Sequence, residues 1–220
     1  MTILLPQRTV EGEPHDNALF APVLLAQNQE SVKEVEAGVT IHQMGKPARH
    51  AFEVLDGEVM LTASIAPKEE IIAMIVGQGG MIGHALDGRH ICTAVALTPV
   101  MVRPVDLASP QYATGLSKLL HESLRHQALL SAPGAIGRIA RFLCNRTKAL
   151  LTSAHRKRAF DGTATITIPL SRQHLARHLG MEAETLSRGL AELRKRKLIE
   201  TPDVETIRIL DLNKLGALCG

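Results

Sequence analysis

The chain has 220 residues, enough for one large or two smaller domains with a real core. Its net charge of +3 hides an asymmetry: residues 138–200 carry 14 Lys plus Arg against 5 Asp plus Glu, a net +9, while residues 1–137 carry 9 against 14, a net −5. One Tyr, four Phe and no Trp leave no aromatic platform for stacking unpaired bases, which favours duplex over single-stranded nucleic acid as the partner of the basic block. Three scattered cysteines, Cys92, Cys144 and Cys219, make neither a disulfide framework nor a zinc site. No apolar run approaches the roughly 18 residues of a membrane span, and Thr2 to Pro14 lacks the basic-then-apolar order of a signal peptide. A cytoplasmic protein with no membrane partner is the expectation.

Residues 1–20 show no periodicity and predict a loose arm. From Val35 to Val105 the pattern turns to short apolar or alternating runs. Candidate strands are Val39–His42, Phe52–Leu55, Glu58–Ser64, Ile71–Val76, Ile91–Leu97 and Val100–Val105. They are cut by Gly45, Asp56-Gly57, Gly77, Gly79-Gly80 and Asp87-Gly88. Asp56-Gly57 is the strongest hairpin signal, because both central positions of such a turn favour positive φ. Short strands with frequent turns predict a small β-roll or barrel.

Gln111 to Ala132 follows as a helix, with Leu116, Leu119, Leu120, Leu124, Leu129 and Leu130 on a stripe spaced by three and four. Ser131-Ala132-Pro133-Gly134 interrupts it and predicts a hinge. Ser171 to Ile199 reads as two short helices around a tight turn. Ser171 is the first helix's N-cap, Leu175, Ala176 and Leu179 form its apolar face, and Gly180 ends it where positive φ is needed. Leu186, Leu190 and Leu193 give the second helix its buried side.

The outward residues of that second helix carry chemistry. Glu184 and Arg188 lie four apart on one face, with Ser187 beside them. Arg matches the O6 and N7 acceptors of guanine, Glu accepts from a base amino group, and Ser serves either role. A short helix with these groups near its N-terminus is how a helix-turn-helix reads a major groove. The bland alternative is a surface helix on which Glu184 and Arg188 merely form an ion pair.

Ala37-Gly38-Val39-Thr40-Ile41, Met44-Gly45-Lys46-Pro47-Ala48 and Phe52 to Val59 resemble the β-roll of the Crp/Fnr superfamily of bacterial transcription regulators. Ile136 to Leu143 resembles the first helix of that family's DNA-binding domain, Ser171–Ile199 its helix-turn-helix, and Thr201 to Leu212 its wing. The resemblance runs over residues 30–215. It implies an α+β chain with a cyclic-nucleotide-binding-like β-roll, a connecting dimerisation helix and a C-terminal winged helix-turn-helix. The corresponding segments are an arm over 1–20, the roll over 21–108, the helix over 109–132 and the DNA-binding domain over 133–220. It further implies a non-enzymatic homodimer on double-stranded DNA, contacting RNA polymerase if it is an activator. The Glu-x-x-Ser-Arg spacing of Glu184, Ser187 and Arg188 looks like the Fnr-type subset, which reads palindromic TTGAT-like sites. Ala183 stands where the catabolite-activator subset has an Arg. Ser171, Arg172, Gln173 and Thr185 fall on the family's phosphate-touching positions, where hydroxyls, amides and cations fix register. The segment between roll and Gly137 is two to three turns shorter than the family's pattern.

Cyclic-nucleotide-binding members carry a Glu for the ribose and an Arg-Ser or Arg-Thr for the phosphate. Here His84 holds the Glu position and His90-Ile91 the Arg-Ser position, with Arg89 one residue away and still open as a phosphate ligand. The expected effector is therefore not a cyclic nucleotide, and His84, Arg89, His90 and Cys92 mark the candidate effector pocket. No cysteine precedes Cys92, so the family's four-cysteine iron–sulfur pattern is absent. No resident cofactor is expected; haem on His84 or His90, or another small molecule, is the residual effector reading. Most of His15, His42, His50, His84 and His90 are otherwise expected to be exposed or hydrogen-bonded surface histidines. Cys92 and Cys144 read as small buried hydrophobes. The rival from another class is a cupin-like β-roll metal enzyme with a basic C-terminal domain. Its chemistry needs His-x-His with a Glu and a further His, and no His-x-His occurs.

Overall fold

The computed structural model describes residues 31–66, 69–150 and 162–219; the arm read at 1–20 and the start of the roll domain at 21–30 lie outside them. Among the described residues ten strands come first: β1 Lys33–Val35, β2 Thr40–His42, β3 Ala51–Asp56, β4 Val59–Ala66, β5 Glu69–Val76, β6 Met81–Ile82, β7 Ala85–Leu86, β8 Arg89–His90, β9 Thr93–Ala96 and β10 Val100–Val105. They build two four-stranded antiparallel sheets, β1-β10-β3-β6 and β2-β9-β4-β5, with β7-β8 as a separate hairpin. Val54, Val59, Leu61, Ile82, Ala94 and Val102 from both sheets fill one apolar interior. Period-2 alternation produces this, since every second side chain of a strand points into the space between the sheets.

Asp56-Gly57 is not a hairpin. β3 pairs with β10 and β6, and β4 with β5 and β9, so the dipeptide is a corner where the chain changes sheets. Only Gly57 takes positive φ (84°), and a Cβ there would lie 2.3 Å from the Pro99 carbonyl oxygen. Asp56 stays extended as the last residue of β3. The two-residue hairpin turn belongs instead to Asp87-Gly88, with φ of 50° and 71°, which joins β7 to β8. Cys92 also falls outside the strands, since β9 begins at Thr93.

Helix α1, Pro110–Leu130, starts at the Ser109 cap, whose side chain accepts from the Tyr112 amide. It returns along the roll. A Cβ on Gly115 would meet Met81 Sδ at 2.5 Å, and the Tyr112 hydroxyl accepts from the Ala85 amide at 3.3 Å. The leucine stripe divides accordingly. Leu129 is buried and Leu119 packs on the roll, whereas Leu116, Leu120 and Leu124, at successive steps of four, face outward with Leu120 and Leu124 at least 60% exposed.

α2, Gly134–Leu150, opens the second domain at Gly134, whose φ is 67°. β11 Ala164–Thr167, α3 Arg172–His178, α4 Ala183–Lys195, β12 Ile199–Glu200, β13 Thr206–Ile209 and α5 Leu212–Ala217 complete it. The three strands pair in the order β11-β13-β12. Ile139, Leu143, Leu179, Leu186, Leu193, Ile207 and Leu215 form a core that continues onto Met60 and Ile72 of the roll. Met60 points away from the roll interior that Val59 and Leu61 fill, so its sheet presents an apolar outer face to the second domain.

Candidate nucleic-acid interface

α3 and α4 form the two-helix motif. The Ser171 hydroxyl accepts from the His174 amide at 3.1 Å, capping α3. At the other end Gly180, with φ of 60°, donates to Arg177 O, and Met181 donates to Ala176 O. This pair of bonds turns the chain sharply into α4. α4 closes the same way, with Leu198 donating to Leu193 O and Lys197 to Arg194 O, although the left-handed residue there is Lys197, at φ 57°.

α4 buries Leu186, Gly189, Leu190 and Leu193 against α2 and α3, which leaves one face to solvent. Glu184, Ser187 and Arg188 lie on that open face, within about one quarter of the helix circumference at the usual 100° per residue. Glu184 and Arg188 are 80% and 72% exposed, and their closest approach is 3.9 Å. A fully hydrated pair at that distance contributes at most a few tenths of a kcal/mol, so neither group is committed to the other. Thr185 is half-buried beside them. Ser171 and Gln173 are exposed at the start of α3, and Arg172 is half-buried there. Burial, then the nearby Arg194, lowers the Arg172 guanidinium pKa. The wing turn between β12 and β13 is held by Asp203, whose carboxylate accepts from the Glu205 and Thr206 amides at 2.9 and 2.7 Å.

The basic block is not all available to DNA. Arg138 donates to the Leu179 and Gly180 carbonyls at 2.9 and 2.7 Å and closes the C-terminal end of α3. Arg141 reaches the carbonyls of Ala128 and Cys219. Arg146 grips both carboxylate oxygens of Glu58, one at 3.0 Å, and the Thr167 carbonyl at 3.1 Å, tying the roll to the second domain. These three arginines hold the fold together, so the net +9 of residues 138–200 overstates the charge offered to DNA. Arg177 and Lys197, by contrast, are exposed around the two-helix motif.

In the roll, His84 and His90 are 4% and 7% exposed, and His42 is 9% exposed. These three are buried, against the expectation that most of the histidines lie at the surface. His42 and His90 stack with ring centroids 4.1 Å apart, and His84 Nε2 donates to the Met81 carbonyl at 3.1 Å. Burial, then the neighbouring His90, pushes His42 down to about 3; burial also lowers His84 and His90. Arg89 turns outward and donates to the Gly45 carbonyl at 2.8 Å. Cys92 is half-buried, its thiol pushed up by burial. Cys144 is buried, with its sulfur 3.9 Å from Cys219 Sγ. Among the described residues, no group of three or more His, Cys, Asp or Glu is placed to hold a metal ion, and no helix is long and apolar enough to cross a membrane.

A second histidine stack was not legible in the sequence. His126 of α1 and His178 of α3 lie 4.5 Å apart, with Phe142 of α2 edge-on to His178 at 5.7 Å. Burial, then His126 and Arg146, pushes His178 down to about 3.

A two-sheet roll joined by one helix to a winged helix-turn-helix with an open reading face defines a two-domain DNA-binding transcription regulator. The comparisons agree on both halves. Residues 32–109 match the cyclic nucleotide-binding domain and residues 137–218 the Crp-like helix-turn-helix domain. The chain is 24% identical over 196 residues to the nitrogen fixation regulation protein FixK of Rhizobium meliloti (strain 1021), covering 86% of this chain and 87% of that protein. It is 29% identical over 185 residues to the transcriptional activator protein FnrA of Stutzerimonas stutzeri, covering 79% and 70%. A CRP/FNR-family transcriptional regulator from Thermus thermophilus superimposes with a TM-score of 0.69 at 26% identity, covering 86% of this chain and 98% of that one. FixK2 from Bradyrhizobium japonicum shares the fold with a TM-score of 0.70 at 22% identity, covering 87% and 98%. The chain belongs to the Crp/Fnr superfamily and is a DNA-binding transcription regulator of that type. The cupin-like alternative has no counterpart among these relatives, which are transcription regulators.

Proposed function

We propose that the protein binds a palindromic TTGAT-like duplex site as a homodimer, with each α4 in the major groove of one half-site. The observation that carries this reading is the open face of α4, where Glu184, Ser187 and Arg188 stand together while the opposite face is locked into the core. Arg188 takes a guanine, Glu184 a cytosine or adenine amino group, and Ser187 a thymine. Ser171, Arg172, Gln173 and Thr185 hold phosphates, joined by Arg177 and Lys197. The outward leucines of α1, Leu116, Leu120 and Leu124, are the face a second copy covers, since three exposed leucines in one row are costly to leave in water.

The roll acts as a sensor or scaffold rather than an enzyme, in a cytoplasmic protein. Its effector is not a cyclic nucleotide, because buried His84 stands in place of the ribose-binding carboxylate and Arg89 is engaged at the surface. Contact with RNA polymerase belongs to this reading if the protein activates. In vitro selection from random duplex DNA at stated salt tests it, using protein of known mass in solution. A TTGAT-type inverted repeat bound by two chains is the expected product; a half-site bound by one chain, or no enrichment, contradicts it.

A further inference from the structure

A cavity of about 1180 Å³ lies between the roll, α1 and the DNA-binding domain. It is lined by none of the four residues that the sequence marked as an effector pocket. Its walls are largely apolar, with Ile75 from the roll, Leu119 and Leu129 from α1, Phe142 from α2 and Ile166 from β11. Among the described residues its charged rim is unbalanced: Lys118, Arg125 and Arg146 face it, against Glu58 and Glu122. Glu122 bonds Arg125 at 3.3 Å and Glu58 bonds Arg146, while Lys118 reaches only the Gly79 carbonyl at 3.4 Å. His178 lines the same cavity, is 7% exposed, and its Nδ1 has no hydrogen-bond partner. A buried polar atom left without a partner is uncommon and costly. Apolar side chains on several walls, interleaved with polar groups and an excess of cations among the described residues, describe a site for a molecule that is part hydrocarbon and part anion.

We propose that this cleft is the effector site, and that its ligand is a small amphipathic anion: a carboxylate or sulfonate on an aromatic or branched apolar body. The apolar part lies on Phe142, Leu119 and Ile166, His178 Nδ1 gains a polar contact, and the anion sits between Lys118 and Arg146. An anion beside Arg146 competes with Glu58 for a side chain that helps tie the roll to the DNA-binding domain. Occupancy therefore shifts the population between docked and released arrangements of that domain, and DNA affinity shifts with it. Only this last consequence rests on the proposed DNA-binding reading; ligand binding is measured without DNA, so the two fail separately.

The probe is 8-anilinonaphthalene-1-sulfonate, an aromatic sulfonate, titrated by fluorescence into the full-length protein. One blue-shifted dye per chain is expected. Thr165→Trp, at an exposed position of β11 on the cavity wall, fills the cleft with an indole and should weaken the dye about tenfold or more. Lys118→Glu should weaken it by a similar factor without filling space, and circular dichroism confirms that both variants fold. Leu86→Ala, exposed on the β7–β8 hairpin and not part of the cleft lining, should leave dye binding unchanged. No dye bound by wild type, dye binding that survives both cleft variants, or binding lost in Leu86→Ala overturns the site. Dye that tracks the cleft variants yet leaves affinity for the selected duplex unchanged overturns the effector role.

Discussion

Acid should destabilise this protein well above the pH at which carboxylates titrate. His42 and His178 are each held near a pKa of about 3 in the folded chain, chiefly by burial, against about 6.5 when unfolded. Both folded values are depressed, so the native state keeps these rings neutral while the unfolded chain takes up protons. The stability is full above about pH 6.5 and is lost as pH falls from there toward 3. At pH 5, about 1.5 units below the unfolded pKa, protonation of each unfolded ring is worth about 2 kcal/mol, or about 4 for the two. That is a large share of the roughly 5–15 kcal/mol by which domains are stable. His84, His90 and His126 are lowered in the same direction and steepen the loss. Exposed carboxylates with lowered values, such as Asp203 and Asp211, add theirs only at still lower pH. Urea unfolding at pH 7.5 and 5.0 reads the difference, and an unchanged slope against denaturant shows that the same transition is compared. Substituting both rings, His42→Phe with His178→Phe, keeps aromatic stacking and should remove most of the pH dependence. A wild type equally stable at both pH values, or a double variant with the wild-type dependence, refutes the burial argument.

Gly189→Ala sets two effects against each other. The helix gains about 0.5–1 kcal/mol, but the new Cβ would lie 2.5 Å from Ile139 Cδ1 in a fully buried contact, and overpacking costs about 1–3 kcal/mol. A net loss of about 1 kcal/mol is expected, and adding Ile139→Val, which removes that Cδ1, should recover most of it in urea melts. Leu120→Glu places a charge in the outward leucine row of α1; if that row is the proposed dimer face, wild type should sediment as a dimer and the variant as a monomer, with circular dichroism unchanged. Arg172→Gln should weaken all duplexes alike and make the dependence of log K on log salt shallower by about one unit, measured by fluorescence anisotropy.

The two-helix motif was legible because each of its signals is local. Ser171, Gly180 and the leucine rows act within a turn or two of their own position, and the structure uses each of them as the spacing implies. Turn chemistry was legible only in part. Asp56-Gly57 and Asp87-Gly88 look equivalent in sequence, but the first sits where Pro99 and Val100 crowd the chain into a sheet-changing corner. Which strands pair is a long-range property that a dipeptide does not encode. The leucine stripe of α1 divides into a buried and an exposed part, because a 3–4 pattern that surrounds more than half a helix cannot say which part meets the roll. The histidine stacks and the three bonded arginines of α2 were illegible for the same reason: His42 and His90, or Arg146 and Glu58, meet only after folding.

The most direct test of the account is the affinity of Arg188→Ala for the duplex that wild type selects, set beside a duplex altered at the guanine assigned to Arg188. Wild type should lose about 1–3 kcal/mol on the altered duplex, and the variant should lose a similar amount on the intact one. The variant should then bind both duplexes equally, since the group that tells them apart is gone. If Arg188→Ala binds the selected site as tightly as wild type, or still discriminates the altered base, α4 does not read the sequence through this face.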